Sequence, residues 1–172
     1  MKLANKKVVC FVDRGFEDLE FWVPVMRLRE AGAEVTIAGT GREEYTGKHG
    51  LKAEVDKNAA ELEVENYDGA VIPGGWAPDR MRRSDSVLSF LQSLDEDGKI
   101  IATICHGGQV LISAELVEGR KATGTTAIKD DLENAGATWV DQPAFQEENL
   151  VWGRVVKDIP DFCRELVTSL AK

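Results

Sequence analysis

The residues best suited to chemistry are Cys105 and His106, which follow the apolar run Ile100–Ile104 directly and precede two glycines. A strand that ends in cysteine and passes at once into helix-forming sequence is typical of a nucleophile on a sharp strand-to-helix turn. Such a turn lifts the sulfur over the first free N–H groups of the helix, whose positive end favours the thiolate. Because the thiolate is the reactive form, the sequence predicts a pKa well below the ordinary ~8.5 of a cysteine thiol. The alternative is a small buried hydrophobe, since free cysteines are often buried.

A carboxyl group is expected beside this sulfur. The carboxyl ends of parallel strands lie at one edge of a sheet, and one neighbouring strand end leads into an acidic segment. Close to a thiolate, an acid has a raised pKa and can donate a hydrogen bond to sulfur. Glu17 is the preferred candidate, with Asp18 and Glu20 as alternatives. Alternatively, Glu17 has only a structural role, as an acid whose charge stabilises the N-terminus of a helix.

Backbone N–H groups of Gly75 and His106 are predicted to form an oxyanion hole, since glycine lets the backbone approach a reacting carbonyl group closely. A tight turn is the alternative role of Gly74 and Gly75. His106 is not an obvious base for Cys105, because successive side chains at such a turn point apart; we expect substrate or a second subunit to orient it. Gly74 and Trp76 are predicted to line the substrate pocket, and Trp76 is alternatively an anchor at a subunit interface.

The elements that must position these residues alternate between strands and helices. Strands are expected over 7–12, 34–39, 67–72, 99–104, 138–140 and 149–153, helices over 17–31, 84–94, 107–116, 127–135 and 158–170, and a hairpin over 45–55. Strand, helix and strand in close succession make a βαβ unit and therefore a parallel sheet. The sequence thus predicts one α/β sandwich domain over residues 1–172, large enough to bury a core without cross-links.

Composition narrows the function further. The 172 residues include 30 acidic and 21 basic side chains, and the net charge of -9 argues against a nucleic-acid or anionic-membrane surface. Three widely spaced cysteines form neither a disulfide framework nor a zinc motif, and two histidines are too few for a histidine-rich metal site. No metal or cofactor is predicted. Reduced thiols, together with the lack of a signal peptide or a membrane span, predict a cytoplasmic protein.

One short segment imitates a nucleotide-binding motif. Gly47 and Lys48 resemble the end of a phosphate-binding loop, but His49 stands where that motif requires serine or threonine. A nucleotide site is therefore not predicted. We expect His49 to be a solvated surface residue in a polar turn.

Five parts of the sequence together carry a family signature. They are Gly15-Phe16-Glu17-Asp18-Leu19-Glu20, Tyr67-Asp68 with Ile72-Pro73-Gly74-Gly75, Ala77-Pro78-Asp79, Ile104-Cys105-His106-Gly107, and Asp130-Asp131-Leu132 with Asn134-Ala135-Gly136-Ala137. On these residues the whole chain resembles the PfpI-type intracellular proteases, within the class I glutamine amidotransferase-like superfamily that also contains a Parkinson-disease protein. The resemblance implies a flavodoxin-like three-layer sandwich with a nucleophile elbow, usually assembled as dimers or hexamers of dimers.

The resemblance also implies roles for single residues. The family's nucleophile corresponds to Cys105, its adjacent histidine to His106, its thiol-contacting glutamate to Glu17 and its oxyanion glycine to Gly75. Asp79 takes the place of an acid that orients the histidine across a subunit interface, where some relatives have glutamate. The shorter aspartate reaches less far across such an interface.

Members of this family are described as ATP-independent peptidases and as glyoxalase-like or protein-deglycating enzymes that act on methylglyoxal adducts, and several are stress proteins. The resemblance therefore implies a cysteine-dependent hydrolase that acts on small carbonyl compounds, glycated proteins or peptides. A single cysteine between glycines favours a small electrophile over an extended peptide. The alternative is a non-catalytic redox-sensing or chaperone-like stress protein whose Cys105 is oxidised.

Overall fold

The computed structural model describes residues 1–172 and contains eleven strands and six α-helices. The strands are β1 (Lys7–Val12), β2 (Glu34–Gly39), β3 (Glu44–Thr46), β4 (Lys52–Glu54), β5 (Lys57–Asn58), β6 (Gly69–Ile72), β7 (Ile100–Ile104), β8 (Lys121–Ala122), β9 (Thr138–Trp139), β10 (Ala144–Glu147) and β11 (Leu150–Gly153). The helices are α1 (Asp18–Ala31), α2 (Ala77–Met81), α3 (Asp85–Glu96), α4 (Gly108–Ser113), α5 (Lys129–Asn134) and α6 (Ile159–Leu170).

Seven strands form the central sheet in the order β10-β11-β7-β6-β1-β2-β5. All neighbouring pairs are parallel except β10 with β11, which is antiparallel. The mainly parallel sheet predicted from the βαβ pattern is therefore confirmed. Two smaller ladders join β3 to β4 and β8 to β9, so the predicted strand over 138–140 exists but lies outside the central sheet.

Helices cover both faces of the sheet. Consecutive residues of a strand point to opposite faces. In β11, the ring of Trp152 lies against Gly108 of α4, while Gly153 faces Phe162 of α6. Helix α1 packs beside α6, and α3 packs beside α4, which completes the three layers. The predicted sandwich is confirmed, with a hydrophobic core shared by strands and helices.

The boundaries of the long elements agree with the sequence-based prediction, whereas some short elements have no counterpart in it. Helix α2 and strand β10 were absent from the prediction. Helix α2 has only five residues, and β10 is a half-buried edge strand of four, so neither has enough periodicity to be recognised. No helix combines the length and the apolar character that a membrane-spanning segment requires.

Helix α1 presents an apolar stripe to solvent as well as to the core. Its buried side includes Phe21, Val25 and Leu28, and Gly32 ends the helix in a left-handed conformation. On the other side Leu19, Val23 and Met26 are 48%, 37% and 62% exposed. The spacing therefore identifies the helix correctly, but part of the apolar pattern belongs to an uncovered surface.

Candidate active site

Three adjacent parallel strands bring the candidate residues to one edge of the sheet. Strand β6 lies between β1 and β7, and both of its pairings are parallel. The chain leaves β1 toward Glu17, β6 toward Gly74 and β7 toward Cys105. The predicted convergence of these strand ends is confirmed.

Cys105 occupies a strained turn between strand and helix. Ile104 is extended at φ -136° and ψ 147°, whereas Cys105 has φ +58°, a conformation that is unfavourable for a residue with a side chain. A 3-10 turn over Cys105–Gly107 follows, and then α4, which has only six residues. The cysteine is half-buried, while Cys10 and Cys163 are buried. The geometry is that of a nucleophile elbow.

Glu20 is the carboxyl group that contacts the thiol. It lies in the first turn of α1, is fully buried, and is within hydrogen-bonding reach of the Cys105 side chain. Its Oε2 accepts the backbone N–H of Gly74 at 2.8 Å, and its Oε1 is buried without a hydrogen-bond partner. Only glycine fits at position 74, because a Cβ there would lie 2.9 Å from Cys105 Cβ and 3.0 Å from the His106 nitrogen.

The structure corrects the assignment of Glu17 to this contact. Glu17 is the N-cap residue of α1 and is extended at φ -71° and ψ 116°, so its side chain leaves the backbone in a different direction from that of Glu20. Its Oε2 lies 3.3 Å from His49 Nε2. Glu17 influences the Cys105 thiol through its charge and forms no hydrogen bond with it. His49, expected to be merely solvated, is exposed but has this partner.

The pKa of Cys105 is raised, contrary to the sequence-based expectation. Burial raises it to about 12, and the Glu20 carboxylate adds to the effect, while the His106 backbone N–H acts in the opposite direction. Burial also raises the pKa of Glu20 to about 7. The expectation assumed a strong helix dipole, but the six-residue α4 supplies little field and the buried carboxylate opposes it.

The thiol and the Glu20 carboxyl group titrate as a pair, because they are in contact. While Glu20 holds a proton, its charge no longer opposes the thiolate and its O–H can donate to the sulfur. The reactive sulfur therefore depends on the proton of Glu20. His106 Nδ1 lies 3.5 Å from Cys105 Sγ, so the histidine does reach its neighbour's sulfur, contrary to expectation. Burial, and then the charge of Lys48, lower the pKa of His106, so its imidazole is neutral at pH 7.

Gly75 presents a free backbone donor beside the thiol. It has φ +80°, and a Cβ there would lie 2.5 Å from the Gly15 carbonyl oxygen, so a side chain is excluded. A short antiparallel bridge to Phe16 fixes this segment. The bridge uses the Trp76 N–H, which donates to the Gly15 carbonyl at 2.8 Å, and leaves the Gly75 N–H without a backbone acceptor. The Gly75 N–H is therefore free to donate, and its role in an oxyanion hole stays a prediction.

An open cleft of about 550 Å³ gives access to the sulfur. It is lined by Glu17, Glu20, Lys48, Gly75, Trp76, Asp79, Arg80, Cys105, His106, Gln109 and Val156. Trp76 is 59% exposed and forms part of the wall, whereas Gly74 lies behind the wall. Asp79 pairs with Arg83 at 2.9 Å and forms no hydrogen bond or ion pair with His106 in its own chain. No group of three or more His, Cys, Asp or Glu side chains is arranged to hold a metal ion.

The β3–β4 hairpin contributes residues to the site that sequence reasoning missed. The Asp18 carboxylate accepts the backbone N–H groups of His49 and Leu51, each at 2.8 Å, and fastens the hairpin over the start of α1. Lys48 donates its own N–H to the Phe16 carbonyl at 2.8 Å. The glycines flanking this turn predict a hairpin, but no local pattern indicates where the hairpin packs.

A mainly parallel α/β sandwich with a strained cysteine at a strand-to-helix elbow, backed by a buried acid, defines a class of proteins. The chain belongs to the DJ-1/PfpI family, whose model matches residues 6–169. The resemblance to PfpI-type proteins is thereby confirmed.

Individual relatives cover nearly the whole chain. The chain is 42% identical over 164 residues to a protein of Thermococcus kodakarensis named deglycase, covering 95% of this chain and 99% of the relative. It is 38% identical over 167 residues to YraA of Bacillus subtilis, whose name includes the words cysteine protease, covering 96% and 99%. Among solved structures, a two-domain protein from Anabaena variabilis with DJ-1/ThiJ/PfpI-like and ferritin-like domains matches with TM-score 0.94 and 39% identity. The match covers 96% of this chain and 48% of that protein.

Proposed function

We propose that this protein is a cysteine-dependent hydrolase that protects the cell by acting on carbonyl adducts, with Cys105 as its nucleophile. The preferred reaction is removal of methylglyoxal adducts from proteins or small molecules, and peptide hydrolysis is the related alternative. The proposal rests mainly on one observation: the half-buried Cys105 thiol and the fully buried Glu20 carboxyl group interact at the base of an open cleft. Relatives named deglycase and cysteine protease support the reaction class.

Both reactions share their first step. The Cys105 sulfur attacks a carbonyl carbon, a C–S bond forms, and the carbonyl electrons move to oxygen. The N–H groups of Gly75 and His106, two residues that line the cleft, would stabilise that oxyanion. When the thiolate attacks, the proton that the pair shares is on Glu20, which can then give it to the oxyanion or to a leaving amine. The neutral imidazole of His106 is a second acceptor within reach of the sulfur.

The cleft favours small substrates over extended peptides. Its volume suits a small carbonyl compound or a single modified side chain. Trp76 and Lys48 of the β3–β4 hairpin border the opening. A modified lysine or arginine side chain on a protein surface can enter such a cleft.

The test compares wild-type protein with Cys105→Ser on a methylglyoxal-treated peptide, with release of the unmodified peptide followed by mass spectrometry. Cys163→Ser is the matched control, because Cys163 is buried in α6 far along the chain from the elbow. We expect activity to fall at least 100-fold in Cys105→Ser and to persist in Cys163→Ser. Equal activity in Cys105→Ser and wild type would refute the proposal.

A non-catalytic redox role is the second candidate, favoured by one observation. Cys105 alone among the three cysteines is accessible, and a protonated Glu20 beside it would stabilise a sulfinate. Peroxide titration followed by intact mass measurement tests this role. A stable product carrying two added oxygens at Cys105, in a protein without turnover, would support it; absence of that product would exclude it.

We also propose that the protein forms homo-oligomers, dimers or hexamers, in the cytoplasm. One side of α1 exposes Leu19, Val23 and Met26, and Leu51, whose N–H bonds to Asp18 at the start of the same helix, is a further exposed apolar side chain. Such a patch is typical of a subunit interface. The three free thiols fit a reducing compartment.

A further inference from the structure

Two cations line the cleft that leads to the reactive sulfur, and neither has a partner of opposite charge. Lys48 of the hairpin and Arg80 of α2 both line the cleft and are exposed, and neither forms an ion pair within the chain. The three acids that line the same cleft already have interaction partners. Asp79 is paired with Arg83, and Glu17 contacts His49. The third acid, Glu20, accepts the N–H of Gly74.

We propose that Lys48 and Arg80 form an anion-binding subsite beside Cys105, which selects carbonyl substrates that carry a carboxylate or another negatively charged group close to the carbon that reacts. This inference rests on the proposed function, because it names the substrate class of the same site. In the family resemblance, neither residue has an assigned role.

The lysine is held in place, although it lies at a hairpin tip. Asp18 binds the amides of His49 and Leu51, just after the lysine, and the Lys48 N–H is itself bonded to the Phe16 carbonyl. Lys48 Nζ lies 5.5 Å from the centroid of the Trp76 ring, a cation–π distance. The ammonium is thus directed along the wall of the cleft. Because the lysine is exposed and forms no ion pair, an anion that binds to it displaces only water and does not have to displace a carboxylate.

The charge of Lys48 acts on the groups around the sulfur. After burial, it is the further cause of the lowered pKa of His106, and it acts to lower the pKa of Glu20. An ammonium that influences both of these groups is also close enough to attract the charge of a substrate held between them. Arg80 adds a planar guanidinium, which suits two-point binding of a carboxylate.

Alkylation of Cys105 by two reagents of nearly the same shape tests the subsite. Iodoacetate carries a carboxylate where iodoacetamide carries a neutral amide, and each forms a C–S bond with loss of iodide. The ratio of the two rate constants at one pH removes the effect of a variant on thiolate concentration. Cys10 and Cys163 are buried, and peptide mass spectrometry assigns the product to Cys105.

We expect the iodoacetate-to-iodoacetamide ratio to be higher in wild type than for N-acetylcysteine. Lys48→Met and Arg80→Met should each lower it roughly 3- to 10-fold, as expected for loss of one partly screened charge near the reagent. Lys48→Arg should retain the wild-type ratio. Two charge-neutralising controls, Lys52→Met and Arg164→Met, should retain it as well, because both residues are paired with acids outside the cleft.

A wild-type ratio equal to that of N-acetylcysteine, or an unchanged ratio in both Lys48→Met and Arg80→Met, would overturn the subsite. This readout needs only a reactive Cys105 and no turnover. If Cys105→Ser is inactive but the alkylation ratio does not change in Lys48→Met or Arg80→Met, the subsite is refuted and the proposed function stands. A fully active Cys105→Ser with a responsive ratio refutes the proposed function and leaves the subsite intact.

Discussion

Glu20 and Cys105 lie on two sides of Gly74, a position at which there is no space for a side chain. The carboxyl group accepts the Gly74 N–H at 2.8 Å, and the space where a Gly74 Cβ would lie is bounded by Cys105 Cβ at 2.9 Å. This arrangement couples the protonation of a buried acid to that of the sulfur. The reactivity of the cysteine is consequently a property of the pair.

The first prediction concerns the pH profile of Cys105 alkylation. In wild type, iodoacetamide should react with an inflection near pH 7, because Glu20 ionises there and its charge then opposes the thiolate. Glu20→Gln should lose this inflection and show a lower apparent pKa for Cys105. Glu17→Gln is the matched control and should retain the inflection, since Glu17 acts through its charge only. The assignment is wrong if Glu17→Gln loses the inflection and Glu20→Gln keeps it.

The second prediction concerns stability. The pKa of Glu20 is about 7 in the folded state against an ordinary 4.5, so folding favours its protonated form. Its contribution to the free energy of unfolding is present below about pH 4.5 and is lost as the pH rises through 7, a change on the order of 3 kcal/mol. The difference in unfolding free energy between wild type and Glu20→Gln should therefore shift in favour of the variant over this window. Urea denaturation at pH 4.5, 6 and 8 measures it, and a pH-independent difference would contradict it.

The third prediction concerns the clamp between Asp18 and the hairpin. Asp18→Ala removes the acceptor of two backbone N–H groups and should cost about 3 kcal/mol of stability or more, since each hydrogen bond to a charged group contributes about 1.5–3 kcal/mol after its exchange with water. Amide hydrogen exchange over residues 47–51 should accelerate at least tenfold. Asp56→Ala loses a comparable bond to Ile37 and should leave exchange in this hairpin tip unchanged. Equal protection of residues 47–51 in Asp18→Ala and wild type would exclude the clamp.

The fourth prediction concerns Asp79. Within the chain this acid is paired only with Arg83, so any action on His106 must come from a neighbouring subunit. Asp79→Ala should then reduce kcat on the methylglyoxal-treated peptide about tenfold, with little change in Tm, because exposed ion pairs stabilise weakly. Arg83→Ala breaks the same ion pair and leaves the acid in place, so its activity should remain near that of wild type. Equal losses in the two variants would assign Asp79 a local structural role.

The fifth prediction concerns the exposed side of α1. Val23→Glu and Met26→Glu place charges on the apolar patch and should shift the protein toward monomers in sedimentation velocity experiments, because burying an unpaired charge is costly. Lys121→Glu is the control, since Lys121 is exposed in β8, outside both α1 and the lining of the cleft. Unchanged sedimentation in both α1 variants would show that the subunit interface does not include this side of α1.

Much of the scaffold could be predicted from local patterns. The strand before Cys105 is a continuous apolar run and the turn after it contains two glycines, so the elbow follows from burial and backbone freedom. The helix over residues 18–31 follows equally from its periodicity, and Gly32 ends it as expected. In the same helix, however, the periodicity of Leu19, Val23 and Met26 does not tell whether the core or a partner covers them.

The choice between Glu17 and Glu20 could not be made in this way. Both acids stand at the start of the same helix, and each could face the sulfur. The decision depends on where the helix begins: Glu17 is still extended, whereas Glu20 is helical and projects toward the end of β6. A shift of one residue in the helix start would rotate both side chains.

By itself the sequence predicted the candidate nucleophile, its elbow and the parallel sheet that presents it, because each depends on residues adjacent in the chain. Only the tertiary structure decided which acid shares a proton with Cys105 and which cations, Lys48 and Arg80, border the cleft. These contacts join segments that are far apart in sequence, as in the bond between Asp18 and Leu51 across 33 positions. Packing brings such segments together, and the spacing of residues along the chain does not indicate which segments will pack.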